Sequence, residues 1–202
     1  MTFNPLEILG LVVGLLYLWW EYHANPRMWL ASVVMPAISM WIYYSKGLYA
    51  DFGINIYYLA IAVYGYIRWT RRNRQPEGAA AAAEEHAAKA TPVTHITARA
   101  AGAALAVFAL LWAALWIFLE YCTDSTVAPY DAFTTALSIV AMWLLARKYA
   151  EQWLAWIAVD AVCVGLYIYK GIPFYAALYA LYTVIAIFGY RKWLRMIPAT
   201  AK

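Results

Sequence analysis

In the segment WLAWIAVDAVCVGLYIYKG, Trp153, Trp156 and Asp160 stand at i, i+3 and i+7. At about 100° per helical residue they fall in one narrow stripe, which Tyr167 at i+14 extends. The chemistry such a stripe offers is recognition. Indole faces stack on a flat ring and attract a cation. A carboxylate accepts a charge-assisted hydrogen bond from an amino group. The residues around the stripe are apolar, and Asp160 lies about eight residues into them, about 12 Å deep at 1.5 Å per residue. A carboxylate at such a depth costs about 2.5–3.5 kcal/mol on insertion scales, so these residues face a cavity or a partner. The plainer alternative is an aspartate hydrogen-bonded to a neighbouring helix.

The elements that hold this stripe are membrane spans. Of the 202 residues, 66% are hydrophobic and 13% charged. Soluble domains are nearer half apolar and a quarter charged, so the chain belongs with membrane proteins. Seven apolar runs lie at about 6–22, 28–45, 52–69, 98–121, 131–147, 152–169 and 173–191. Each approaches the ~20 residues needed to cross a bilayer. The eleven Trp and eighteen Tyr suit interfacial belts and exceed what belts alone require. Between the third and fourth runs, TRRNRQPEGAAAAAEEHAAKATPVTHITAR reads as an extramembrane linker. The start, MTFNPLEILG, has neither a basic n-region nor a small-residue cleavage site, so the first run is expected to stay as mature structure. Cys122 and Cys163 are expected to be two free packing thiols.

Basic residues set the orientation. Arg68, Arg71, Arg72 and Arg74 follow the third run, Arg147 and Lys148 end the fifth, and Arg191, Lys192 and Arg195 follow the seventh. With seven spans these clusters share one side, the cytoplasm by the positive-inside rule, which leaves the N-terminus outside and the C-terminus inside. The net charge of +4 reports these loops and not nucleic-acid binding.

The sequence also repeats. A constant offset of 124 residues pairs Trp19 with Trp143, Trp29 with Trp153, Gly47 with Gly171, Gly65 with Gly189, Tyr66 with Tyr190 and Trp69 with Trp193, with no gap from 7–69 against 131–193. Each repeat holds three spans, so it reverses the side of the chain, and the intervening fourth span reverses it again. The two triple-helix units therefore run parallel about an axis along the membrane normal, a frame whose substrate site lies at the interface near the midplane. The fold class is an all-α integral membrane protein with seven transmembrane helices in a 3+1+3 parallel-repeat, SWEET-like arrangement. Its parts are a first three-helix repeat at 1–69, a cytoplasmic linker at 70–97, a connecting helix at 98–121, a second repeat at 131–193 and a cytoplasmic tail at 194–202.

With the 3+1+3 plan, the run DAFTTALSIVAMWLLARKYAEQWLAWIAVD and its Trp-x-x-Trp-x-x-x-Asp motif, nearly the whole chain outside the linker resembles the PnuC family of vitamin transporters. The best-known members carry nicotinamide riboside, and relatives carry thiamine (PnuT-type) or riboflavin. The resemblance implies a homotrimer in the bacterial inner membrane, each protomer with its own path. It implies facilitated diffusion, with a cytoplasmic kinase trapping the vitamin by phosphorylation. In nicotinamide riboside members the position of Asp160 is usually Asn and that of Asn55 often Gln, so this sequence departs from them at both.

The repeat weighs the candidates. Asp160 pairs with Pro36 and Trp156 with Ser32, so the scaffold alone demands neither. Trp153 pairs with Trp29, which suits packing as well as substrate contact. Asn55 lies in the third run where the family places a substrate-contacting amide, and a helix–helix hydrogen bond explains it equally. Tyr58, one turn on, matches Tyr182, a match that suits packing; it completes the candidate substrate-binding set. Glu7, Glu21, Asp51, Glu120 and Asp131 lie near span ends and read as solvated or capping groups. No spacing among His23, His86 and His95 suggests a metal, and no Gly-rich phosphate loop suggests an ATPase. Neither a cofactor nor an enzyme activity is expected, because no acid, base and nucleophile converge. A sugar carrier shares the 3+1+3 plan but calls for more core Asn, Gln and Ser than this chain has. Thiamine and nicotinamide riboside are both flat aromatic cations. A carboxamide matches an Asn or Gln, whereas an aminopyrimidine cation matches a carboxylate. Asp160 therefore favours thiamine, with nicotinamide riboside as the alternative.

Overall fold

The computed structural model describes residues 5–45, 49–71 and 92–198. Most of the expected linker, the last four residues, Lys46 and Gly47 lie outside the described residues. The described residues form seven helices: α1 (Pro5–Tyr22), α2 (Met28–Ser45), α3 (Tyr49–Arg71), α4 (Ala98–Cys122), α5 (Ala128–Ala146), α6 (Gln152–Tyr169) and α7 (Pro173–Met196). The regular elements among the described residues are all helices, as the apolar runs require, because in lipid a backbone must satisfy its own hydrogen bonds. Among the described residues four helices, α4 to α7, are long and apolar enough to cross a membrane. Where bounds differ from the apolar runs, local chemistry accounts for it. Pro129, which needs no N–H partner, lets α5 start before the apolar run. α7 continues past the run's end to Met196 through basic residues that suit a helix C-terminus.

The chain divides into two compact units, one ending at Thr91 and the other starting at Pro92. In the first, α2 packs on α3 and α1 on α2. In the second, α4, α5, α6 and α7 pack in chain order, each on the next. The core of the second unit is Val140, Ala141 and Leu144 of α5 with Ala155 of α6, covered by Ile96, Phe108, Tyr149 and Trp156 among others.

The repeat seen in the sequence is a repeat of hydrogen bonds. After α1, Ala24 N–H donates to the Glu21 carbonyl (2.9 Å) and Asn25 N–H to that of Trp20 (2.8 Å). After α5, 124 residues on, Lys148 N–H donates to Leu145 (2.9 Å) and Tyr149 N–H to Leu144 (3.1 Å). Ala24 and Lys148 both hold positive φ, 49° and 58°, the left-handed residue that ends a helix and is usually Gly. The loop then re-enters a helix alike in both repeats: Trp29 N–H donates to Pro26 (3.1 Å) and Trp153 N–H to Ala150 (3.2 Å).

Two side chains differ from expectation. Glu21 is buried, not solvated, and accepts a hydrogen bond from the Tyr17 hydroxyl. Asp160 is therefore not the lone buried acid of the chain. Cys163 is buried, but Cys122 at the end of α4 is exposed and is no packing thiol.

Candidate functional site

α6 carries the candidates Trp153, Trp156 and Asp160, and two aromatic locks fix it against α7. Trp153 is 1% exposed. A Cβ on Gly189 of α7 would come within 2.7 Å of its indole, so the missing side chain is what lets the ring lie there. The same ring meets Trp193 edge to face. In the first unit Trp29 lies on Gly65 and meets Trp69 edge to face at 5.6 Å. The second lock is higher on α6: the Tyr167 ring stacks between Tyr175 and Tyr179 of α7, 5.3 Å from each.

Asp160 stands between these locks on α6 and is buried, 6% exposed. Cys163 and, from α7, Tyr179 and Tyr182 lie close enough to feel its charge. The Tyr179 hydroxyl is in turn hydrogen-bonded to that of Tyr167. One turn before Asp160, Trp156 rests partly buried on the α5 core, with its indole N–H buried and unpartnered. The arrangement offers an aromatic wall, a carboxylate and phenols within one helix pair. That can hold a flat cation bearing an amino group.

Asp160, Trp156 and Trp153 thus belong to the second unit, and Asn55 and Tyr58 to α3 of the first. Asn55 and Tyr58 are half-buried, and Tyr58 touches the Tyr57 ring at 5.7 Å. The sequence reading missed Tyr179 and Tyr182 as neighbours of Asp160. The signal was present, since they are the repeat mates of Asn55 and Tyr58. It also passed over Gln152, which is 0% exposed with neither amide atom hydrogen-bonded. Among the described residues no group of His, Cys, Asp and Glu is placed to hold a metal ion.

A polar strap joins the end of the linker to this unit. Thr94 pairs with Tyr149 as an isolated bridge, through Thr94 N–H to Lys148 (3.1 Å) and Ala150 N–H to Thr94 (3.0 Å). Glu151 then accepts from the Ile96 N–H (2.9 Å) and contacts His95 Nδ1 (2.7 Å). Next to it, Lys148 is 3% exposed, and burial pushes its amine from 10.5 down to about 8.

Comparison with known proteins gives one consistent result. Residues 4–195 match the family described as nicotinamide mononucleotide transporter. The nicotinamide riboside transporter PnuC of Escherichia coli (strain K12) is 26% identical, over 94% of this chain and 84% of its own length. The riboflavin/roseoflavin transporter RibM of Streptomyces davaonensis is also 26% identical, over 93% of this chain and 83% of its own. The crystal structure of the vitamin B3 transporter PnuC superposes with a TM-score of 0.64 at 20% identity, covering 92% of this chain and 79% of that one. That last likeness speaks for the fold alone.

Proposed function

Since the chain belongs to the nicotinamide mononucleotide transporter family, the PnuC family, we propose that it carries a flat cationic vitamin across the membrane, with thiamine as the substrate. The family is one of membrane transporters and not of enzymes. The observation that carries the substrate is Asp160: a buried carboxylate in a span, one turn from the Trp156 indole. A lone carboxylate there is costly unless something positively charged shares the site. Thiamine offers both: its aminopyrimidine carries the N–H donor and its thiazolium ring the positive charge.

In this reading Trp156 is the wall of the site, and Tyr179 and Tyr182 close it from α7. Trp153 serves it by seating α6 on α7. Asn55 and Tyr58 are the candidates of the first repeat for substrate contact. Seven spans in a 3+1+3 plan place the N-terminus outside and the C-terminus in the cytoplasm of a bacterial inner membrane. Transport is facilitated diffusion through each protomer of a homotrimer, and a cytoplasmic kinase retains the product.

Nicotinamide riboside is the second reading, and the likeness to the nicotinamide riboside transporter PnuC favours it. It presents a carboxamide where thiamine presents an amine. The test is uptake of radiolabelled thiamine and of nicotinamide riboside by proteoliposomes holding the purified chain. Saturable thiamine flux in both directions, without ATP or an ion gradient, is the expected result. Movement of nicotinamide riboside alone overturns the thiamine assignment. Accumulation abolished by a protonophore overturns facilitated diffusion.

A further inference from the structure

We propose that Gln152 is a substrate-binding residue, the receptor for the hydroxyl-bearing end of the vitamin; this rests on the reading of Asp160 and Trp156 given above. Gln152 is 0% exposed, and neither its amide oxygen nor its amide nitrogen has a hydrogen-bond partner. Burying an amide without partners is destabilising, so native chains seldom do it without cause.

The repeat removes the structural cause. The residue 124 positions earlier is Met28, also 0% exposed, at a helix start with the same hydrogen bonds. An unbranched apolar side chain of similar length therefore satisfies the packing there. The amide is an addition peculiar to the repeat that holds Asp160.

Position supplies the ligand. Gln152, Trp156 and Asp160 stand at i, i+4 and i+8 on α6, which puts them on one face, with Trp156 between the two polar groups. Gln152 and Asp160 are about 12 Å apart along the axis. Thiamine and nicotinamide riboside share one plan: a flat ring bearing an amino or carboxamide group at one end, a ring cation, and a primary hydroxyl at the other end. With the amino or amide end on Asp160 and the ring along Trp156, the hydroxyl lies toward the start of α6. A hydroxyl donates once and accepts, and a primary amide offers both complements. The start of α6 follows the basic Arg147–Lys148 pair, so the hydroxyl leads toward the side where phosphorylation would trap it.

The test is calorimetric titration of the purified full chain and of Gln152→Met. The ligands are thiamine and an analogue whose hydroxyethyl arm is replaced by ethyl, with melting temperatures measured in parallel. Gln152→Met should melt no lower than wild type, bind thiamine about tenfold more weakly and bind the analogue as wild type does. Equal thiamine affinity in both proteins overturns the assignment. So does an equal loss for thiamine and analogue, or a lower melting temperature, each of which marks a structural amide. Wild type that binds neither thiamine nor nicotinamide riboside overturns the vitamin reading itself, and this assignment with it.

Discussion

Trp153 meets Trp193 edge to face, with ring centroids 5.8 Å apart and planes at 89°. Between them the backbone of Gly189 runs so close under the Trp153 indole that no side chain fits. Trp29, Gly65 and Trp69 repeat the arrangement in the first unit. The Trp and Gly matches at an offset of 124 are therefore the trace of one lock used twice, and that lock fixes how α6 lies on the helix that brings Tyr179 and Tyr182 to Asp160.

Gly189→Ala tests the lock. The added methyl meets fused-ring atoms that have no rotamer to escape into, and overpacking of this kind costs about 1–3 kcal/mol. The variant should melt lower in detergent and bind substrate more weakly, because α6 shifts against α7. Gly165→Ala is the control: a Cβ there meets nothing within 4 Å, so its melting temperature should hold or rise.

What the sequence disclosed follows from lipid and from periodicity. Runs near 20 apolar residues have one stable backbone form in a bilayer, so the extents of α1 and α2 were readable directly. Asp160 was readable because a charge inside such a run is an anomaly. Gln152 was not, since a polar residue at the edge of a run looks solvated until its burial is known. Glu21 misled for the same reason. The strap at Thr94–Ile96 depends on Glu151, 55 residues beyond Ile96, and no local pattern announces so distant a partner. Tyr179 and Tyr182 were hidden among the many other tyrosines, although the repeat marked them.

The strap is testable through Glu151. One carboxylate oxygen accepts from the Ile96 N–H and the other contacts the part-exposed His95, so the backbone bond outweighs the solvent-screened ion pair. Glu151→Ala leaves that N–H without its acceptor and should cost about 1–2 kcal/mol. Hydrogen–deuterium exchange at Ile96 and the first turn of α4 should rise. Glu151→Gln retains an acceptor and should show a smaller increase. Unchanged exchange in Glu151→Ala would remove the strap as the anchor of α4.

Lys148 makes stability depend on pH. Below about pH 8 the amine is charged in both folded and unfolded chains, and the folded chain bears the cost of burying that charge. Above about 8 the folded chain loses the proton while the unfolded chain holds it up to 10.5, so the unfolded state binds more protons. Stability from this group therefore rises with pH between about 8 and 10.5. The full gain is roughly 3 kcal/mol at about 1.4 kcal/mol per unit. Melting temperature followed from pH 7 to 9.5 should climb in wild type, and Lys148→Met should flatten the climb.

Asp160 is the residue through which the thiamine assignment is tested. If its carboxylate accepts a hydrogen bond from the amino group of a cationic vitamin, removing it deletes a charge-assisted contact worth about 1.5–3 kcal/mol, or roughly tenfold or more in affinity. Asp160→Asn keeps the shape, loses the charge and gains an N–H donor that an amine cannot use but a carboxamide can. It should weaken thiamine binding by about tenfold and strengthen nicotinamide riboside binding. Asp160→Ala should weaken both, since neither ligand then finds a polar partner at that end. Calorimetric titration of the three proteins with both vitamins reads the pattern, and intact melting of each variant confirms its fold. Because burying a carboxylate in apolar surroundings is costly, removing it should leave both variants melting at or above wild type. A structural aspartate would lower melting instead and leave thiamine affinity where it was, and that result would move the site away from α6.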